Sequence, residues 1–279
     1  MEPVLYLVGT PIGNLSDISP RVRETLEKVD FIAAEDTRNT LKLLNYLGIK
    51  KPMISYFEHN KRQRGEEILG KIRGGQIGAL VTDAGMPAIS DPGEDLVALL
   101  YEEGYTVTAV AGPCAFVCGL ILSGLPTGRF CFEGFLSTAK KSRNEHLSAL
   151  KNETRTMIFY ESPQKLKNTL QDLIKTFGSD RRCALTREIS KLHEQVLRGT
   201  LGELAEHYEN EAPRGEYVVI IEGAKEVITE NFWDHWSVKE HIEHYKSMGK
   251  SNMDAVKAVA KDRGVPKNEI YKVSVELKD

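Results

Sequence analysis

Short apolar runs that end at loops of glycine, proline and small residues recur along the chain and constrain its fold more than any other feature. Two stand out, VLYLVGTPIGN at residues 4–14 and IGALVTDAGMPAISDPG at residues 77–93. Small side chains let a ligand approach backbone N–H and C=O groups, and open α/β sheets bind ligands at the carboxyl ends of their strands. The sequence therefore predicts that these loops form the halves of one ligand cleft.

Helical stretches alternate with the apolar runs, which predicts an α/β fold with a mainly parallel sheet and helices on both faces. Ser19 before Pro20 is typical of a helix start, and Gly48 after a leucine-rich stretch is typical of a helix end. The first half is predicted to contain strands at residues 4–8, 31–35, 77–81 and 106–110 and helices at residues 20–28, 40–47 and 95–104.

A second set of elements begins near residue 127. Strands are predicted within RFCFEGF, TRTMIFYES, RCALTRE, VLRGTLGEL and EYVVIIEG, with a helix at residues 163–177. The last segment is predicted to form a helix at residues 233–246 and two short helices around Gly264. We therefore predict three parts, which are an N-terminal α/β domain at residues 1–125, a second α/β domain at 126–228 and a helical appendage at 229–279.

Composition and charge limit the class of protein to which the chain can belong. The 279 residues are 41% hydrophobic and 28% charged, as in ordinary globular proteins. A formal net charge of −3 does not indicate a generally basic surface, so local charge decides whether nucleic acid binds. The four cysteines lack zinc-site spacing, which favours free thiols and no metal. No leader peptide or membrane-spanning run is visible, so we expect a cytoplasmic protein.

The loop residues indicate what kind of ligand the cleft holds. GTPIGN at residues 9–14 is neither GxGxxG nor a P-loop, which argues against a phosphate cradle and leaves a plain tight turn open. In the second loop, carbonyl groups can accept from an amino group, and Asp83 can orient N–H groups or bind a hydroxyl. A third loop, AGPCA at residues 111–115, leaves space beneath a predicted helix.

The order of eight motifs carries a resemblance to a known family. They are GTPIGNLSDIS, FIAAEDTR, YFEHN, VTDAGMPAISDPG, AGPCA, FYESP, REISKLHEQ and GEYVVIIEG. From about Val4 to Gly223 they resemble the tetrapyrrole-methylase superfamily, and within it the bacterial ribose 2′-O-methyltransferases that modify a decoding-centre cytidine of 16S ribosomal RNA. The resemblance implies two α/β domains with S-adenosylmethionine in the cleft between them, the small ribosomal subunit as partner, and a homodimer.

Carried over by position, the resemblance also implies the cofactor-binding residues. The first domain would supply Pro11, Asp83, Ala84, Gly85, Ala88, Ile89, Cys114 and Ala115, and the second would supply Tyr160, Leu185, Glu216 and Tyr217. Cys114 departs from the family, whose members have Ser or Thr at this place.

EDTR at residues 35–38 and EHN at residues 58–60 resemble the RNA-modifying branch of the superfamily. Glu35 and Asp36 would be costly to bury without a partner. Arg38 is close enough to pair with one of them, so a salt bridge under the cleft is an alternative to a catalytic role. His59 is a candidate general base because its ordinary pKa lies near neutrality, or alternatively a hydrogen-bonding support for its loop.

REISKLHEQ at residues 187–195 supplies further catalytic candidates. Methyl transfer to a ribose 2′-OH needs the hydroxyl aligned with the methyl donor and relieved of its proton. A lysine with a depressed pKa or a carboxylate can accept that proton, which makes Glu188 and Lys191 candidates. Positioning alone accounts for much of such a rate, and the sequence does not single out a base.

Two basic segments are candidates for RNA contact. STAKKSRNEHL at residues 137–147 places Lys140, Lys141 and Arg143 in a predicted loop, where they would contact phosphates without reading base sequence. Residues 246–279 contain eight Lys or Arg against five Asp or Glu. The candidates there are Lys257, Lys261, Arg263 and Lys267. Solvated surface is the alternative for the first segment, and packing or dimerisation for the second.

These features predict an S-adenosylmethionine-dependent enzyme that methylates a ribose of small-subunit ribosomal RNA and selects its nucleotide by shape as well as by base identity. Two other functions stay open from the sequence. One is methylation of a tetrapyrrole or another small molecule, which predicts that removal of residues 230–279 leaves activity intact. The other is RNA binding without catalysis, which predicts weak or absent binding of the cofactor.

Overall fold

A computed structural model describes residues 2–225 and 232–275, the side chain of residue 275 excepted. The chain divides into two compact units, Met1–Lys225 and Glu226–Asp279. The first unit contains two five-stranded sheets, which confirms a fold built from two α/β halves. The boundary between residues 125 and 126 stays a prediction, and the one between residues 228 and 229 lies outside the described residues.

The first sheet is parallel throughout and is covered on both faces. Its strands are β1 (Leu5–Val8), β2 (Phe31–Ala34), β3 (Met53–Ser55), β4 (Gly78–Val81) and β5 (Val107–Val110), in the order β3-β2-β4-β1-β5. Helices α1 (Pro20–Lys28) and α2 (Thr37–Leu47) pack on one face, and α3 (Lys61–Arg73) and α4 (Glu94–Glu102) on the other. Burial on both faces explains why these strands are runs of apolar residues rather than alternating ones.

The second sheet is mixed. Helix α5 (Ala115–Ser123) precedes it, and its strands are β6 (Phe130–Phe135), β7 (Thr156–Glu161), β8 (Arg182–Arg187), β9 (Gln195–Thr200) and β10 (Tyr217–Ile221). The order is β6-β7-β10-β8-β9, and β6 pairs parallel with β7 whereas the other pairs are antiparallel. Helices α6 (Lys140–Ala149), α7 (Pro163–Phe177) and α8 (Leu201–Asn210) cover one face.

Helix α5 joins the two halves. It follows β5 of the first sheet but packs on the second sheet, on the face that α6, α7 and α8 leave uncovered. Its sequence, AFVCGLILS, is largely apolar, as expected for a helix with packing partners on several sides. Leu120 shares a core cluster with Ile158 and Val218 of the second sheet, and Ile12 of the first loop packs against the same cluster. A Cβ on Gly119 would lie 3.1 Å from Val218 Cβ, so the helix approaches the sheet closely.

Local signals place several helix ends as predicted. The Ser19 side chain accepts a hydrogen bond from the Val22 N–H and caps α1, and Gly48 ends α2 in the left-handed conformation with φ of +73°. The predicted start of α2 at Thr40 is wrong, because the Asp36 side chain accepts from the Arg38 N–H and starts the helix at Thr37.

Three other element predictions are wrong. Residues 140–149 form α6 and not a loop, because Leu147 of that segment is buried in the second core. VLRGTLGEL is a strand only as far as Thr200, whose capping box with Glu203 starts α8. The helix predicted from Trp233 begins only at Val238, after a capping box formed by Ser237.

The second unit, in its described part, consists of α9 (Val238–Ser247), α10 (Asn252–Arg263) and α11 (Lys267–Val275). Its core contains Ile242, Val256, Val259 and Ile270. Gly264 ends α10 with φ of +63°, which is the turn expected between the two short helices. Within the described ranges, the helices are too short or too polar to cross a membrane.

Candidate active site

Loops of the first sheet and strand ends of the second enclose a cavity of about 480 Å³. The loop after β4, the start of α5, the ends of β7 and β10 and the turn after β8 form its walls. This volume lies within the roughly 300–1,000 Å³ of typical small-molecule sites. The cavity is therefore the principal candidate for a cofactor site.

The three glycine loops hold one another beside this cavity. Thr10 and Gly85 exchange two backbone hydrogen bonds, with N···O distances of 2.9 and 3.1 Å. The Thr10 hydroxyl donates to the Thr82 carbonyl at 3.1 Å. A Cβ on Gly9 would lie 2.7 Å from Gly112 Cα, so the contact between the first and third loops requires glycine. The predicted juxtaposition of the loops is confirmed.

Three carboxylates line one part of the main cavity, namely those of Glu35, Asp83 and Asp91. Glu35 accepts a hydrogen bond from the Thr82 hydroxyl at 2.6 Å and from the Asp83 N–H at 3.3 Å. Burial and the nearby charge of Glu35 raise the pKa of Asp91 to about 6. Such a carboxylate accepts a proton more readily than an ordinary aspartate does and is ionised at neutral pH.

The cavity brings together most of the residues that the family resemblance implies for the cofactor. Its lining includes Asp83, Ala84, Gly85, Ile89, Cys114, Ala115, Tyr160, Glu216 and Tyr217. Pro11 lies instead beside a neighbouring cavity. Leu185 is buried in the core cluster under α7 and α8, on the opposite face of the second sheet, and Ala88 packs near Gly93. Contact of Pro11, Ala88 and Leu185 with the cofactor therefore stays a prediction.

Cys114 and Tyr160 meet the cavity where α5 begins. Cys114 is the residue before the helix, but its side chain makes no capping hydrogen bond, and burial raises the pKa of its thiol. The Phe116 N–H instead donates to the Tyr160 hydroxyl at 3.2 Å, which satisfies one of the free N–H groups at the helix start. A residue of the second sheet therefore caps a helix that leads out of the first.

Glu188, Lys191 and Glu216 form a charged network at the cavity wall. The Lys191 Nζ donates to Glu188 at 2.9 Å and to Glu216 at 2.8 Å. The Glu216 N–H donates to Glu188 at 3.0 Å. The aliphatic part of Lys191 occupies the space that a Cβ on residue 13 would need, so Gly13 makes room for it. Gly215 makes room for Glu188 in the same way. The network thus connects the first loop to the second sheet.

The prediction of a lysine with a depressed pKa is wrong. Burial opposes the charge of Lys191, but hydrogen bonds to Glu216 and Glu188 prevail and raise its pKa. Burial likewise opposes ionisation of Glu188, but the Glu216 N–H and Lys191 prevail and lower its pKa. Lys191 therefore remains protonated and Glu188 ionised at neutral pH, which suits both to holding the cleft rather than to accepting a proton.

Replacing Lys191 with methionine is expected to lower the free energy of unfolding by about 1–2 kcal/mol, because a partly buried Glu188 loses its cationic partner. Urea denaturation at pH 7 measures the change. Lys257→Met is the control, since Lys257 pairs with Asp254 on the surface and should change the free energy by less than about 0.5 kcal/mol. Equal effects at the two positions would contradict the structural role of Lys191.

Arg38 and His59 do not line either cavity in the described structure. Arg38 is exposed over 86% of its side chain and forms an ion pair with Asp36, so the predicted salt bridge exists but at the surface rather than buried beneath the cleft. His59 is exposed and its ring contacts Phe57 edge-on. Asn60 is the support of that loop, because it accepts from the Phe57 N–H at 2.8 Å and donates to the Ser55 carbonyl at 3.1 Å.

A second cavity, of about 220 Å³, opens beside the first and shares Thr82 and Asp83 with it. The first loop and one face of α2 line it. It was not expected from the sequence, although Asn39, Lys42, Leu43 and Tyr46 recur at the spacing of one helix face. Asp91 was missed as well, although its place in the loop after β4 offered a signal.

The basic segments divide into free and engaged side chains. Lys140 and Lys141 are exposed at the start of α6, and Lys141 Nζ lies 3.9 Å from a carboxylate oxygen of the exposed Glu145. Arg143 is largely buried, pairs with Asp172 at 2.9 Å and donates to two carbonyl groups, so its contacts are structural. In the second unit Lys261 and Lys267 are exposed, Lys257 pairs with Asp254, and Arg263 donates to His241.

The fold of this chain is similar to that of methyltransferases of known structure. The methyltransferase CobJ has a TM-score of 0.60 at 16% identity and covers 80% of this chain and 95% of its own. A uroporphyrin-III C-methyltransferase from Thermus thermophilus, solved with S-adenyl homocysteine, has a TM-score of 0.53 at 18% identity and covers 77% and 96%. These likenesses define the fold class.

The chain belongs to the family of tetrapyrrole (corrin/porphyrin) methylases, whose sequence pattern matches residues 4–205. A protein of Halalkalibacterium halodurans named ribosomal RNA small subunit methyltransferase I is 47% identical over 96% of this chain and 93% of its own length. A Bacillus subtilis protein of that name is 44% identical over 96% and 92%. One from Thermotoga maritima is 46% identical over 78% of this chain and 98% of its own.

Proposed function

We propose that this protein is an S-adenosylmethionine-dependent methyltransferase that methylates the ribose 2′-OH of a cytidine in the decoding centre of 16S ribosomal RNA. One observation carries the proposal, namely that the main cavity adjoins a second cavity at an edge formed by Thr82 and Asp83, which line both. A cofactor in the first cavity and a nucleotide in the second would meet at this edge. The names of relatives at 40–47% identity support the RNA substrate.

The lining of the main cavity fits the proposed cofactor. When bound, S-adenosylmethionine supplies an activated methyl group on a positively charged sulfur. Glu35, Asp83 and Asp91 place negative charge in the cavity, which favours a cationic ligand. Ile89 and Ala115 supply apolar wall, as an adenosine group requires.

Side chains of the cavity also suit the remaining step, which is removal of the hydroxyl proton. Asp91 is the proton acceptor in this proposal, because its pKa of about 6 is the highest shifted value among the lining carboxylates. The paired charges of Glu188 and Lys191 hold the opposite wall. Orientation of the hydroxyl where the two cavities adjoin supplies the rest of the rate.

The proposal is tested by incubating the protein with methyl-labelled S-adenosylmethionine and small ribosomal subunits from a strain that lacks the corresponding modification. Label on a single ribose 2′-oxygen of the 16S RNA is the expected result. Absence of label, with cofactor binding established by calorimetry, would overturn the proposal and favour methylation of a small molecule. Absence of both would favour RNA binding without catalysis.

Truncation separates the RNA substrate from the tetrapyrrole alternative in one direction only. The Thermotoga maritima relative has the same name as the longer relatives, yet its nearly full length matches only 78% of this chain. An rRNA methyltransferase of this kind therefore need not carry the whole of the present chain. Retained activity after removal of residues 230–279 therefore fits either substrate, whereas lost activity counts against the small-molecule alternative.

Exposed lysines at the start of α6 are proposed to contact RNA phosphates. Replacing Lys140 and Lys141 together with alanine is expected to weaken binding of the small subunit and to reduce its salt slope by about 1.5, since each phosphate contact contributes about 0.7–0.9. Filter binding at several salt concentrations measures the slope. The control pair is Lys50 and Lys51, which precede β3, an edge strand of the first sheet. An unchanged slope in the α6 variant would assign these lysines to solvated surface.

Two further properties belong to the proposal. A homodimer is supported by exposed apolar residues on α5, where Val117 and Ile121 lie four residues apart, since such a patch marks interfaces. A ribosomal substrate places the protein in the cytoplasm.

A further inference from the structure

We infer that the second cavity is a subsite for a single pyrimidine base and that it selects cytosine over uracil. The inference deepens the proposed function and rests on it. The cavity measures about 220 Å³, below the roughly 300 Å³ at which sites for drug-sized ligands begin. Because it shares Thr82 and Asp83 with the main cavity, a nucleotide whose base sits there lies beside the proposed cofactor site.

The polar edge of this subsite is a hydrogen-bonded series of three side chains. The Asn39 Nδ2 donates to Asp83 Oδ2 at 3.0 Å, and the Lys42 Nζ donates to Asn39 Oδ1 at 3.3 Å. A carboxylate only accepts and an ammonium only donates. The amide nitrogen of Asn39 must therefore face Asp83, and its oxygen must face Lys42.

The groups left free along this edge match cytosine. Asp83 retains acceptor capacity, Asn39 retains one amide N–H, and Lys42 retains two N–H groups, which gives the order acceptor, donor, donor. The Watson–Crick edge of cytosine offers the complementary order, with the N4 amino group as donor and N3 and O2 as acceptors. Uracil presents a carbonyl to Asp83 and an N–H to Asn39, so two of its three contacts fail.

Helix α2 also supplies a stacking surface. Asn39, Lys42 and Tyr46 lie at i, i+3 and i+7, on one helix face. Tyr46 is 61% exposed and lines the cavity together with Pro11 of the first loop. Unstacked bases in single-stranded RNA are commonly held on aromatic rings and read along their Watson–Crick edges. Tyr46 and the polar edge line the same cavity, so a base there can stack and form hydrogen bonds at the same time.

The test compares small subunits with cytidine or uridine at the target position. Wild-type protein should methylate the cytidine subunits at least 100-fold more efficiently in kcat/KM. Asn39→Ala should lower kcat/KM for the cytidine subunits at least tenfold. It should also reduce the preference for cytidine, because the Asn39 N–H can bond to the bare N3 of cytosine but not to the N3–H of uracil. Lys42→Met should lower both efficiencies equally, since O2 is common to the two bases.

Tyr46→Ala should raise KM for both subunits through loss of stacking. Matched controls are Asn45→Ala, on the same helix but not among the lining residues, and Tyr101→Ala, which removes another exposed tyrosine, on α4. Both should behave as wild type. Calorimetry should give unchanged affinity for S-adenosylmethionine in every variant, which separates the subsite from the cofactor site.

Two different failures are distinguishable. If wild-type protein labels the ribose of cytidine and Asn39→Ala keeps the full cytidine preference, the subsite is wrong and the proposed function stands. If wild-type protein labels neither subunit, the proposed function fails and the subsite fails with it.

Discussion

Replacing Gly85 with tryptophan is expected to reduce the affinity for S-adenosylmethionine at least 100-fold while the first unit remains folded. Gly85 lines the main cavity, and a Cβ there would lie 3.4 Å from the Ile12 side chain. An indole at this position therefore occupies the space proposed for the cofactor. Isothermal titration calorimetry measures the affinity, and far-UV circular dichroism establishes that the unit is folded.

Gly75→Trp provides a control that is matched in backbone strain. Gly75 has φ of +85° and Gly85 of +86°, and a Cβ on Gly75 meets no atom within 4 Å. Both substitutions force a side chain into the left-handed region, but only one fills the cavity. Retained affinity in folded Gly85→Trp would place the cofactor elsewhere, and equal loss in both variants would indicate strain rather than occupancy.

Replacing Asp91 with asparagine is expected to lower methyl transfer at least 100-fold and, at the same time, to stabilise the protein at pH 7–8. The first effect follows from loss of the proposed proton acceptor. With Asp91 intact, kcat/KM should rise with pH and level off above about 6, where its carboxyl is ionised. Single-turnover measurements between pH 5 and 8 test both expectations.

The stability effect follows from the direction of the pKa shift. The pKa of Asp91 is raised from 3.8 to about 6 in the folded protein, so the folded state binds the proton more tightly than the unfolded chain. Stability therefore falls as pH rises from about 4 to 6 and stays reduced above that range. Asparagine removes this cost. Allowing for partial exposure of the group, we expect a gain of about 1 kcal/mol, or about 2–4 °C in Tm.

The comparison of Tm values has an internal check. The gain from Asp91→Asn should disappear near pH 4, where wild-type Asp91 is protonated. Asp180→Asn, at an exposed turn, should change neither activity nor Tm. An Asp91→Asn protein with wild-type activity would exclude Asp91 as the proton acceptor, whereas lost activity with lowered Tm would indicate a structural role.

The sequence was sufficient to predict the fold where local signals are strong. Apolar runs ending in glycine loops identify the strands of the first sheet, and Ser19 and Gly48 mark helix ends by backbone rules that act over a few residues. Segments 137–147 and 196–204 were assigned incorrectly because their structure depends on distant partners or on a capping box. The burial of Leu147 beneath α6, for example, is visible only once the second sheet is assembled.

The candidate site was predictable only in part, for a similar reason. Loop motifs located Asp83, Gly85 and Ala115, since these residues follow strands directly. The pKa values of Lys191 and Asp91 could not be read from the chain, because Glu216 and Glu35 reach them from other segments. The second cavity escaped notice because two loops and a helix face that are distant in sequence form it together.

Two side chains pack directly against glycines, and this packing limits which substitutions natural sequences can tolerate. Gly13 leaves room for the stem of Lys191, and Gly215 leaves room for Glu188. A side chain at position 13 would displace Lys191 and break its two ion pairs, unless a shorter residue stood at position 191. Positions 13 and 191 should therefore covary among natural sequences, and positions 215 and 188 should do so as a second pair.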